Sequence, residues 1–283
     1  MRIGFIGAGK VGCSLGKYLV LHGVQVSGYY SRNALSAQDA AEFTETAYFD
    51  TLEGIAKESD ALFITVSDSA IETVWEQLKA IQVRDKVICH CSGVLSSEIF
   101  SELSMYACRG YSVHPLLAIS SRKHAYQELS HALFTIEGLG AEKQELAEML
   151  RQCGNQVLFL KPEDKPRYHA AAVLASNLVL GLAETAAGEL EQCGFSRQQA
   201  LEALAPFMQA NVSHLLTGSI EDALTGPMER GDSTTIQKHL RVLEGEDREL
   251  YRLLSKKAMG IAQRKHPKRS YTEIKNMIEK EIG

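Results

Sequence analysis

A glycine-rich turn directly after the first apolar run is the feature that most constrains how this chain can fold. The run from residue 2 to residue 6 predicts a β-strand. Gly7, Gly9 and Gly12 follow it and fit the pattern GxGxxG. The first glycine permits a tight turn, the second lets the backbone approach a pyrophosphate, and the third lets a helix pack closely against the strand. Because the start of that helix also favours phosphate, the segment predicts a dinucleotide-binding βαβ unit.

The end of the second predicted strand distinguishes between NAD and NADP. An NAD enzyme usually carries Asp or Glu about twenty residues after the last glycine, where the carboxylate binds the ribose hydroxyls. Here the chain reads Tyr30-Ser31-Arg32-Asn33, without a carboxylate. The hydroxyl of Ser31 and the guanidinium of Arg32 suit a 2′-phosphate, because arginine binds phosphate oxygens in a forked geometry. The sequence therefore favours NADP over NAD, and the alternative is that Arg32 is a solvated loop charge.

Short apolar runs alternate with amphipathic segments in the first part of the chain. The predicted strands are Arg2–Ile6, Val24–Tyr30, Ala61–Val66, Lys86–Cys91, Gly110–His114, Leu133–Glu137 and Gln156–Leu160. Helical segments lie between most of them. This order predicts an α/β fold of the Rossmann type, with a doubly wound, mainly parallel sheet and helices on both faces.

The pattern changes at the charged, proline-containing segment 161–166, KPEDKP. Beyond it only helices are predicted, at about residues 167–192, 196–216, 219–224, 232 onward, 246–264 and 271–281. Ser196 with Gln199 forms a capping-box signature, and Asp232 is a predicted N-cap. We expect two domains, a Rossmann dinucleotide-binding domain over residues 1–161 and an all-helical substrate and dimerisation domain over residues 162–283.

Composition argues against several classes of protein. The formal net charge of −5 disfavours a nucleic-acid-binding surface spread over the molecule. No secretory signal is visible, and the longest apolar stretch, Ala170–Ala183, contains two polar residues and is too short to span a bilayer. We therefore expect a cytoplasmic protein with reduced cysteines and no membrane partner. In the run Cys89-His90-Cys91 the side chains alternate between the faces of a strand, so no metal site is expected.

Four motifs outside the glycine-rich turn are specific in combination. They are HCSG at His90–Gly93, HP at His114–Pro115, YHAAAVLASN at Tyr168–Asn177 and LTGPMERGD at Leu224–Asp232. With these motifs the chain resembles, over essentially its whole length, a poorly characterised family that joins a Rossmann-like domain to a helical C-terminal domain of unknown function. Its N-terminal half also resembles pyrroline-5-carboxylate reductases and the β-hydroxyacid and 6-phosphogluconate dehydrogenases. The resemblance implies an oxidoreductase and leaves its substrate open.

Ligands of open α/β sheets bind beyond the carboxyl ends of the strands, and the loops after residues 65, 91 and 113 qualify. The resemblance implies that the first two loops run beside the ribose and nicotinamide, with hydroxyls from Ser67 and Ser92 and room for the ring over Gly93. Asp68 alternatively caps the helix that begins near Ser69. The residues predicted to hold the cofactor are Gly7, Ala8, Gly9, Lys10, Val11, Gly12, Ser31, Arg32, Val66, Ser67, Asp68, Ser92 and Gly93.

A second polar group lies at the predicted helix after the boundary. Lys165, His169, Ser176 and Asn177 are spaced by about four, seven or eight residues. Helical periodicity places His169, Ser176 and Asn177 close to one face. The β-hydroxyacid dehydrogenases carry a lysine and an asparagine four residues apart on the equivalent helix. This chain differs, because the fourth residue after Lys165 is His169 and Asn177 comes later.

Hydride transfer to a carbonyl or imine requires a proton donor near the atom that gains charge. The ordinary pKa of histidine suits that task. We expect His169 to be the acid/base, with Asn177 orienting the substrate and Ser92 assisting. His114 is the second choice, and Lys165 completes the predicted catalytic group. The alternatives are a structural histidine in the domain interface for His169 and a structural turn for His114.

The loop around Thr225, Gly226 and Arg230 precedes a predicted helix. Pyrroline-5-carboxylate reductases have a helix start in a similar place that contacts the substrate carboxylate. By that analogy these three residues, with Ser176, are predicted to bind a small-molecule substrate; the alternative is a capped turn at a domain or subunit contact. The related enzymes dimerise through their helical domains, and the apolar stretch 170–183 favours a homodimer here.

Two functions of different classes fit these residues best. The first is an NADP-dependent oxidoreductase that acts on a small carboxylated carbonyl, hydroxy acid or imine. The second is a non-catalytic NADP-binding sensor or regulatory protein, because a Rossmann fold alone does not establish catalysis. A deazaflavin-dependent reductase is a third interpretation that rests on Rossmann similarity alone. An enzyme must gather a proton donor beside the nicotinamide, which makes His169, Asn177 and Ser92 the discriminating residues.

Overall fold

The structure, a computed structural model, describes residues 1–279, so the end of the helix predicted at 271–281 lies outside the described residues. The strands are β1 (Ile3–Ile6), β2 (Val26–Tyr30), β3 (Ala47–Tyr48), β4 (Ala61–Ile64), β5 (Val87–His90), β6 (Arg109–Pro115), β7 (Phe134–Gly138) and β8 (Val157–Phe159). The helices are α1 (Lys10–Leu21), α2 (Ala34–Thr44), α3 (Leu52–Glu58), α4 (Asp68–Ala80), α5 (Glu142–Gln152), α6 (Lys165–Ala175), α7 (Asn177–Gln192), α8 (Arg197–Thr217), α9 (Ile220–Ala223), α10 (Gly226–Arg230), α11 (Ser233–Val242), α12 (Gly245–Lys265) and α13 (Thr272–Glu279).

The eight strands form one sheet in the order β3-β2-β1-β4-β5-β6-β7-β8. Neighbouring strands are parallel except β6 and β7, which are antiparallel, so the predicted mainly parallel sheet is confirmed. The sequence missed β3, which has two exposed residues, Ala47 and Tyr48, and pairs with β2. A strand that short carries no alternation from which it could be predicted.

The central strands are buried on both faces of the sheet, as their apolar sequences predict. Phe63 of β4 packs into the cluster that contains Leu15 of α1. Its neighbour Leu62 points to the opposite face and packs with Ile55 and Trp75 from α3 and α4. Because parallel strands end at one edge, the loops after β1, β4, β5 and β6 are gathered there.

The helix predicted from residue 167 to residue 192 is interrupted, which corrects that prediction. It forms α6 and α7, separated at Ser176, whose backbone leaves the helical region with φ −125° and ψ −86°. The Ser176 hydroxyl donates a hydrogen bond to the carbonyl of Ala172 at 2.7 Å. Serine hydroxyls that bond back to the preceding turn bend helices, and the residues around Ser176 carry no proline or glycine that would have indicated the break.

The chain divides into two compact units, residues 1–176 and 177–283. The division falls after α6, whereas the sequence analysis placed the domain boundary between residues 161 and 162. The reason lies in α6 itself, since Lys165 and Tyr168 bond to residues of β5–β6 and the loop between them. In the second unit, the described part of the core is formed around Ile236, Met259 and Ile274.

The helical stretch Pro162–Gln192 passes a test of length and composition for a membrane span. Its most apolar 18-residue window has a mean hydropathy of 1.5, and 6% of that window is buried. We expected no apolar stretch long enough to span a bilayer, and by length and composition this longer segment does not meet that expectation. A single exposed apolar helix is weak evidence for a membrane span, because an apolar helix that packs against another protein chain meets the same test.

Candidate functional site

The glycine-rich turn connects the end of β1 to the start of α1. Gly7 adopts φ +108°, where a Cβ would lie 2.9 Å from the backbone of Thr65. Such a backbone conformation is readily available only to glycine. Gly9 is the N-cap of α1, and a Cβ there would meet no atom within 4 Å. Within residues 1–279 no side chain caps the first turn of α1, so the open side of Gly9 leaves the helix start accessible to a phosphate.

Gly12 and Thr65 fasten the turn to the neighbouring strand. The Thr65 hydroxyl donates to the Gly7 carbonyl at 2.7 Å. A Cβ at Gly12 would lie 2.4 Å from both the Gly7 oxygen and Thr65 Oγ1. These contacts leave no space for a side chain at Gly12, and the groups present fit the pyrophosphate of a dinucleotide.

Arg122 braces the same turn from a loop that the sequence analysis did not single out. Its Nε donates to the Ala8 carbonyl at 2.9 Å, and one terminal nitrogen donates to the Ser36 carbonyl at 2.6 Å. The guanidinium also forms an ion pair with Asp39 of α2. Arg122 therefore joins the glycine-rich turn to α2. It lies in a segment without a motif, so only the structure could identify it.

Ser31 and Arg32 lie between β2 and α2, at the expected distance along the chain from the glycine-rich turn. Arg32 is exposed and forms no ion pair with any of the described residues. The Asn33 side chain accepts a hydrogen bond from the Leu35 N–H at 3.1 Å and caps α2. The guanidinium of Arg32 can therefore contact a ligand without first breaking an ion pair.

The structure does not support the alternative that Asp68 is the N-cap of the helix after β4. Ser67, not Asp68, is the N-cap of α4, and Asp68 is the first residue of that helix. The Asp68 carboxylate accepts a hydrogen bond from the Ser92 hydroxyl at 2.8 Å. Asp68 thus ties the loop after β4 to the loop after β5. Val66 is partly buried in the neighbouring core, and the Ser67 hydroxyl lies 3.4 Å from that of Ser69.

The turn that begins at Ser92 is held by its own hydrogen bonds. The Ser92 hydroxyl accepts from the N–H groups of Val94 and Leu95, and the Ser92 N–H donates to His90 Nδ1 at 3.2 Å. Because His90 Nδ1 accepts, its Nε2 carries the proton and donates to the Ser96 carbonyl at 3.1 Å. Burial lowers the pKa of His90 to about 4, so this ring is neutral at pH 7.

Two buried charged side chains, Lys165 and Glu137, bond to the segment that follows β5. The Lys165 side chain is 1% exposed and its Nζ donates to the Ser92 carbonyl at 2.8 Å and to Ser112 Oγ at 2.6 Å. Glu137 is also 1% exposed and accepts from the Ser97 N–H at 2.6 Å and hydroxyl at 2.8 Å. Burial lowers the pKa of Lys165 to about 8, although the charge of Glu137 opposes that change.

The burial of Lys165 argues against direct contact between its ammonium group and a substrate. Both of its hydrogen bonds go to protein atoms of the β5 and β6 ends. The geometry favours a residue that positions the Ser92 turn over one that contacts a substrate. Glu137 and Ser112 were not among the predicted site residues, because each lies within a strand and belongs to no motif.

Two histidines meet over Gly93. A Cβ on Gly93 would lie 2.5 Å from His169 Nδ1 and 2.9 Å from His114 Nε2. The two rings are nearly perpendicular, with centroids 6.4 Å apart. The resemblance implied an open space over Gly93 for the nicotinamide ring, but the structure places the two imidazoles there. Gly93 is required because the ring nitrogens approach its backbone too closely for a side chain.

The nitrogen Nδ1 of His169 is buried and has no hydrogen-bond partner among residues 1–279. An unpaired buried polar atom costs roughly 1–3 kcal/mol, and such atoms in native proteins call for an explanation, among them a catalytic role or a bound water or ion. His114 differs, because its Nδ1 lies 2.8 Å from the hydroxyl of Tyr168. Burial, Lys165, His169 and His90 together lower the pKa of His114 to about 3.

The remaining predicted residues lie at or beyond the break after α6. Ser176 ends α6, and its hydroxyl is bonded to the preceding turn. Asn177 begins α7 in the second unit, so the helical periodicity that grouped it with His169 does not continue to it. Thr225, the N-cap of the short helix α10, and Arg230, its exposed last residue, also belong to the second unit. Their substrate contacts stay predictions.

Two family models match the chain. Residues 1–115 match a Rossmann-like domain, and residues 132–258 match a domain of unknown function, DUF2520. The second match begins before β7, within the sheet. Among curated proteins, none matches the sequence.

Solved structures share the architecture over nearly the whole chain. A protein from Thermotoga maritima is 24% identical, with a TM-score of 0.75 over 93% of this chain and 98% of the other. A protein from Bacteroides fragilis, named as a proposed NADP oxidoreductase, is 24% identical, with a TM-score of 0.69 over 92% and 98%. A pyrroline-5-carboxylate reductase from Coxiella burnetii is 17% identical, with a TM-score of 0.62 over 93% and 97%. At these identities the likeness establishes the fold.

Proposed function

We propose that this chain, which joins a Rossmann-like domain to a DUF2520 domain, is an NADP-dependent oxidoreductase that acts on a small carboxylated carbonyl, hydroxy acid or imine. The observation that carries the proposal is the pair of imidazoles over Gly93, one of which has an unpaired buried nitrogen. They lie at the strand edge that also carries the glycine-rich turn, which is where ligands of such sheets bind.

The residues of the first unit divide into three tasks. Gly7, Gly9 and Gly12 with the start of α1 would hold the pyrophosphate, and Arg32 would bind the 2′-phosphate. Bound NADP would exchange a hydride with the substrate carbon. His169 would hold a proton at Nδ1 and transfer it to the oxygen or nitrogen that receives the electron pair from the reduced bond.

The substrate-binding part of the proposal rests on the second unit. Asn177 would orient the substrate, and Thr225, Gly226 and Arg230 would bind its carboxylate, as the family resemblance suggests. An arginine suits a carboxylate because its planar donors match the two oxygens. Arg230 is exposed, which leaves its guanidinium accessible to a ligand.

We also propose that the enzyme is a cytoplasmic homodimer. Leu178 and Leu180 of α7 are 53% and 70% exposed, and Leu174 of α6 is 63% exposed. Burying apolar surface of this kind is the main driving force of association, and a second copy of the chain would cover it. Light scattering should give a dimer mass in detergent-free buffer. A monomer mass, or a protein recovered only with membranes, would overturn this part.

Cofactor binding is the first test. Titration with NADPH and NADH, followed by fluorescence, should give tighter binding of NADPH. Arg32→Ala should weaken NADPH binding by roughly 10- to 100-fold, because hydrogen bonds to charged groups contribute about 1.5–3 kcal/mol, and should leave NADH binding unchanged. Arg241→Ala removes an equal charge from an exposed position on α11 and serves as the matched control. Failure to bind either nucleotide would refute the proposal.

Turnover is the second test. NADPH oxidation and NADP reduction should be followed with panels of keto acids, cyclic imines and hydroxy acids. His169→Gln should reduce turnover of the compound found by about 100-fold or more and leave NADPH affinity unchanged. His131→Gln alters an exposed histidine and is the control. Tight NADPH binding without turnover of any compound would instead favour a non-catalytic NADP-binding sensor.

A further inference from the structure

The pair formed by Tyr168 and His114 has a defined hydrogen-bond direction. Tyr168 Oη lies 2.8 Å from His114 Nδ1, and the two rings are perpendicular with centroids 5.5 Å apart. Neither residue is close to the other in sequence; β6 carries His114, and α6 carries Tyr168. The contact is therefore a product of the tertiary fold.

Counting donors and acceptors fixes the direction of this bond. Among residues 1–279, the hydrogen-bond partner of Tyr168 Oη is His114 Nδ1. Burial raises the pKa of Tyr168 and the nearby Thr135 hydroxyl opposes that change, but Thr135 Oγ1 makes no hydrogen bond within the distance and angle limits that the His114 contact meets. If Nδ1 carried the ring proton, the Tyr168 hydroxyl would have no acceptor among residues 1–279, which is unfavourable for a part-buried hydroxyl. The hydroxyl therefore donates to Nδ1. A neutral imidazole has one N–H group, so its proton is on Nε2.

The protonated nitrogen of His114 faces the site. Nε2 is the ring atom that would lie 2.9 Å from a Cβ on Gly93, in the same space as Nδ1 of His169. The surroundings keep the ring neutral: it is largely enclosed, and Lys165 and the imidazoles of His169 and His90 disfavour a second proton. The ring is thus a neutral donor beside an unpaired nitrogen.

We propose that Tyr168 is a positioning residue that holds His114 in the Nε2–H tautomer, so that His114 donates a hydrogen bond to the substrate oxygen or nitrogen. This inference rests on the proposed function and gives the two histidines different roles. His114 polarises the reacting bond and keeps its proton, and His169 gives up a proton. A neutral histidine acts as such an electrophile in triosephosphate isomerase, where the surroundings likewise lower its pKa.

The tautomer can be measured without turnover. In protein with ¹⁵N-labelled histidine, the ring signals of His114 are identified by their loss in His114→Gln. We expect an unprotonated Nδ1 and a protonated Nε2 between pH 5 and pH 8. Tyr168→Phe should move proton density onto Nδ1, since the donor to that nitrogen is gone. A proton on Nδ1 in the unaltered protein, or an unchanged tautomer in Tyr168→Phe, would overturn the proposal.

The chain offers a matched control for this experiment. In the second unit, Tyr251 Oη lies 2.8 Å from His239 Nδ1, with the two rings at 87°. Tyr251→Phe makes the same chemical change in a pair of the same geometry. It should alter the ring signals of His239 and leave those of His114 in place. A response of His114 to Tyr251→Phe would mean that the labelled signals report general unfolding.

Kinetics test the donor role and separate it from the proposed function. With the substrate found by the panel, Tyr168→Phe should lower kcat by about 10- to 100-fold, with NADPH affinity unchanged. This loss is smaller than the roughly 100- to 1,000-fold loss seen when a donor to the transition state is removed outright, because the His114 ring is still present. A changed tautomer with unchanged kcat would refute the donor role of His114. If no compound turns over, the proposed function fails, while the ring signals still decide what Tyr168 does.

Discussion

Replacing Lys165 by methionine should change how the stability of the first unit depends on pH. The Lys165 side chain is 1% exposed, and burial lowers its pKa from 10.5 to about 8. The difference of 2.5 between these values corresponds to about 3 kcal/mol, at 1.36 kcal/mol for each pH unit. Lys165→Met keeps the apolar stem and removes the ammonium group, so the comparison isolates the buried charge.

The sign follows from proton binding in the two states. Below pH 8 the lysine is protonated in the folded and unfolded chain, and the full destabilising effect of burying the charge is present. Between pH 8 and pH 10.5 the unfolded chain binds more protons than the folded chain, so the free energy of unfolding rises with pH. The unaltered protein should therefore gain stability relative to Lys165→Met, by up to about 3 kcal/mol, between pH 7 and pH 10.5.

Urea unfolding at pH 7, 8, 9 and 10 would measure this difference. Trp75 is the single tryptophan of the chain and is fully buried in the first unit, so its fluorescence reports on that unit. Titratable groups remote from Lys165 cancel in this comparison, and His90 and His114, whose pKa values Lys165 lowers, are kept neutral in the folded protein above pH 7 mainly by burial. Lys57→Met, at an exposed position, is the control and should give a pH-independent difference. A difference for Lys165→Met that stays flat or shrinks as pH rises would refute the reasoning.

Three further perturbations test separate parts of the structure. Gly12→Ala should abolish NADPH binding in a titration, because its Cβ would lie 2.4 Å from the Gly7 carbonyl oxygen; retained affinity would mean that the turn adapts. Ser92→Ala should lower the free energy of unfolding by about 1–3 kcal/mol, since two N–H groups lose their acceptor, and an unchanged urea midpoint would contradict this. Asp232→Ala should cost about 1 kcal/mol, because the carboxylate caps α11 at the Thr235 N–H; circular dichroism melting would reveal equal stability if the cap is unimportant.

Features governed by nearest neighbours in the chain could be predicted from the sequence. Ser196 and Gln199 form the capping box that their spacing indicates, and Asp232 caps the next long helix. The first strand, predicted at Arg2–Ile6, is found at Ile3–Ile6, and the glycine-rich turn and a helix follow it as predicted. These features depend on backbone geometry over a few residues, and the residue types at those positions are ones that favour that geometry.

Errors arose where the structure departs from what the local sequence favours. The residues around Ser176 are mostly good helix formers, and nothing in their pattern predicts the interruption between α6 and α7. The two-residue strand β3 exists because it pairs with Gly28 and Tyr29 of β2. In both cases a few hydrogen bonds decide the conformation. The spacing of apolar residues, on which the prediction depends, carries no information about those bonds.

By itself the sequence determined the class of fold, the glycine-rich turn, and the residue types from which a site could be made. It named Ser92, Gly93, His114, Lys165 and His169 without saying how they meet. The tertiary structure decided that Lys165 is enclosed where it bonds to the Ser92 carbonyl, that two imidazoles share the space over Gly93, and that a tyrosine hydroxyl contacts one of them. The physical reason is distance along the chain: Lys165 and Ser92 are 73 residues apart, and Tyr168 and His114 are 54 apart. Which atoms meet across such separations depends on how the sheet and α6 pack, and burial then determines which groups keep their charge.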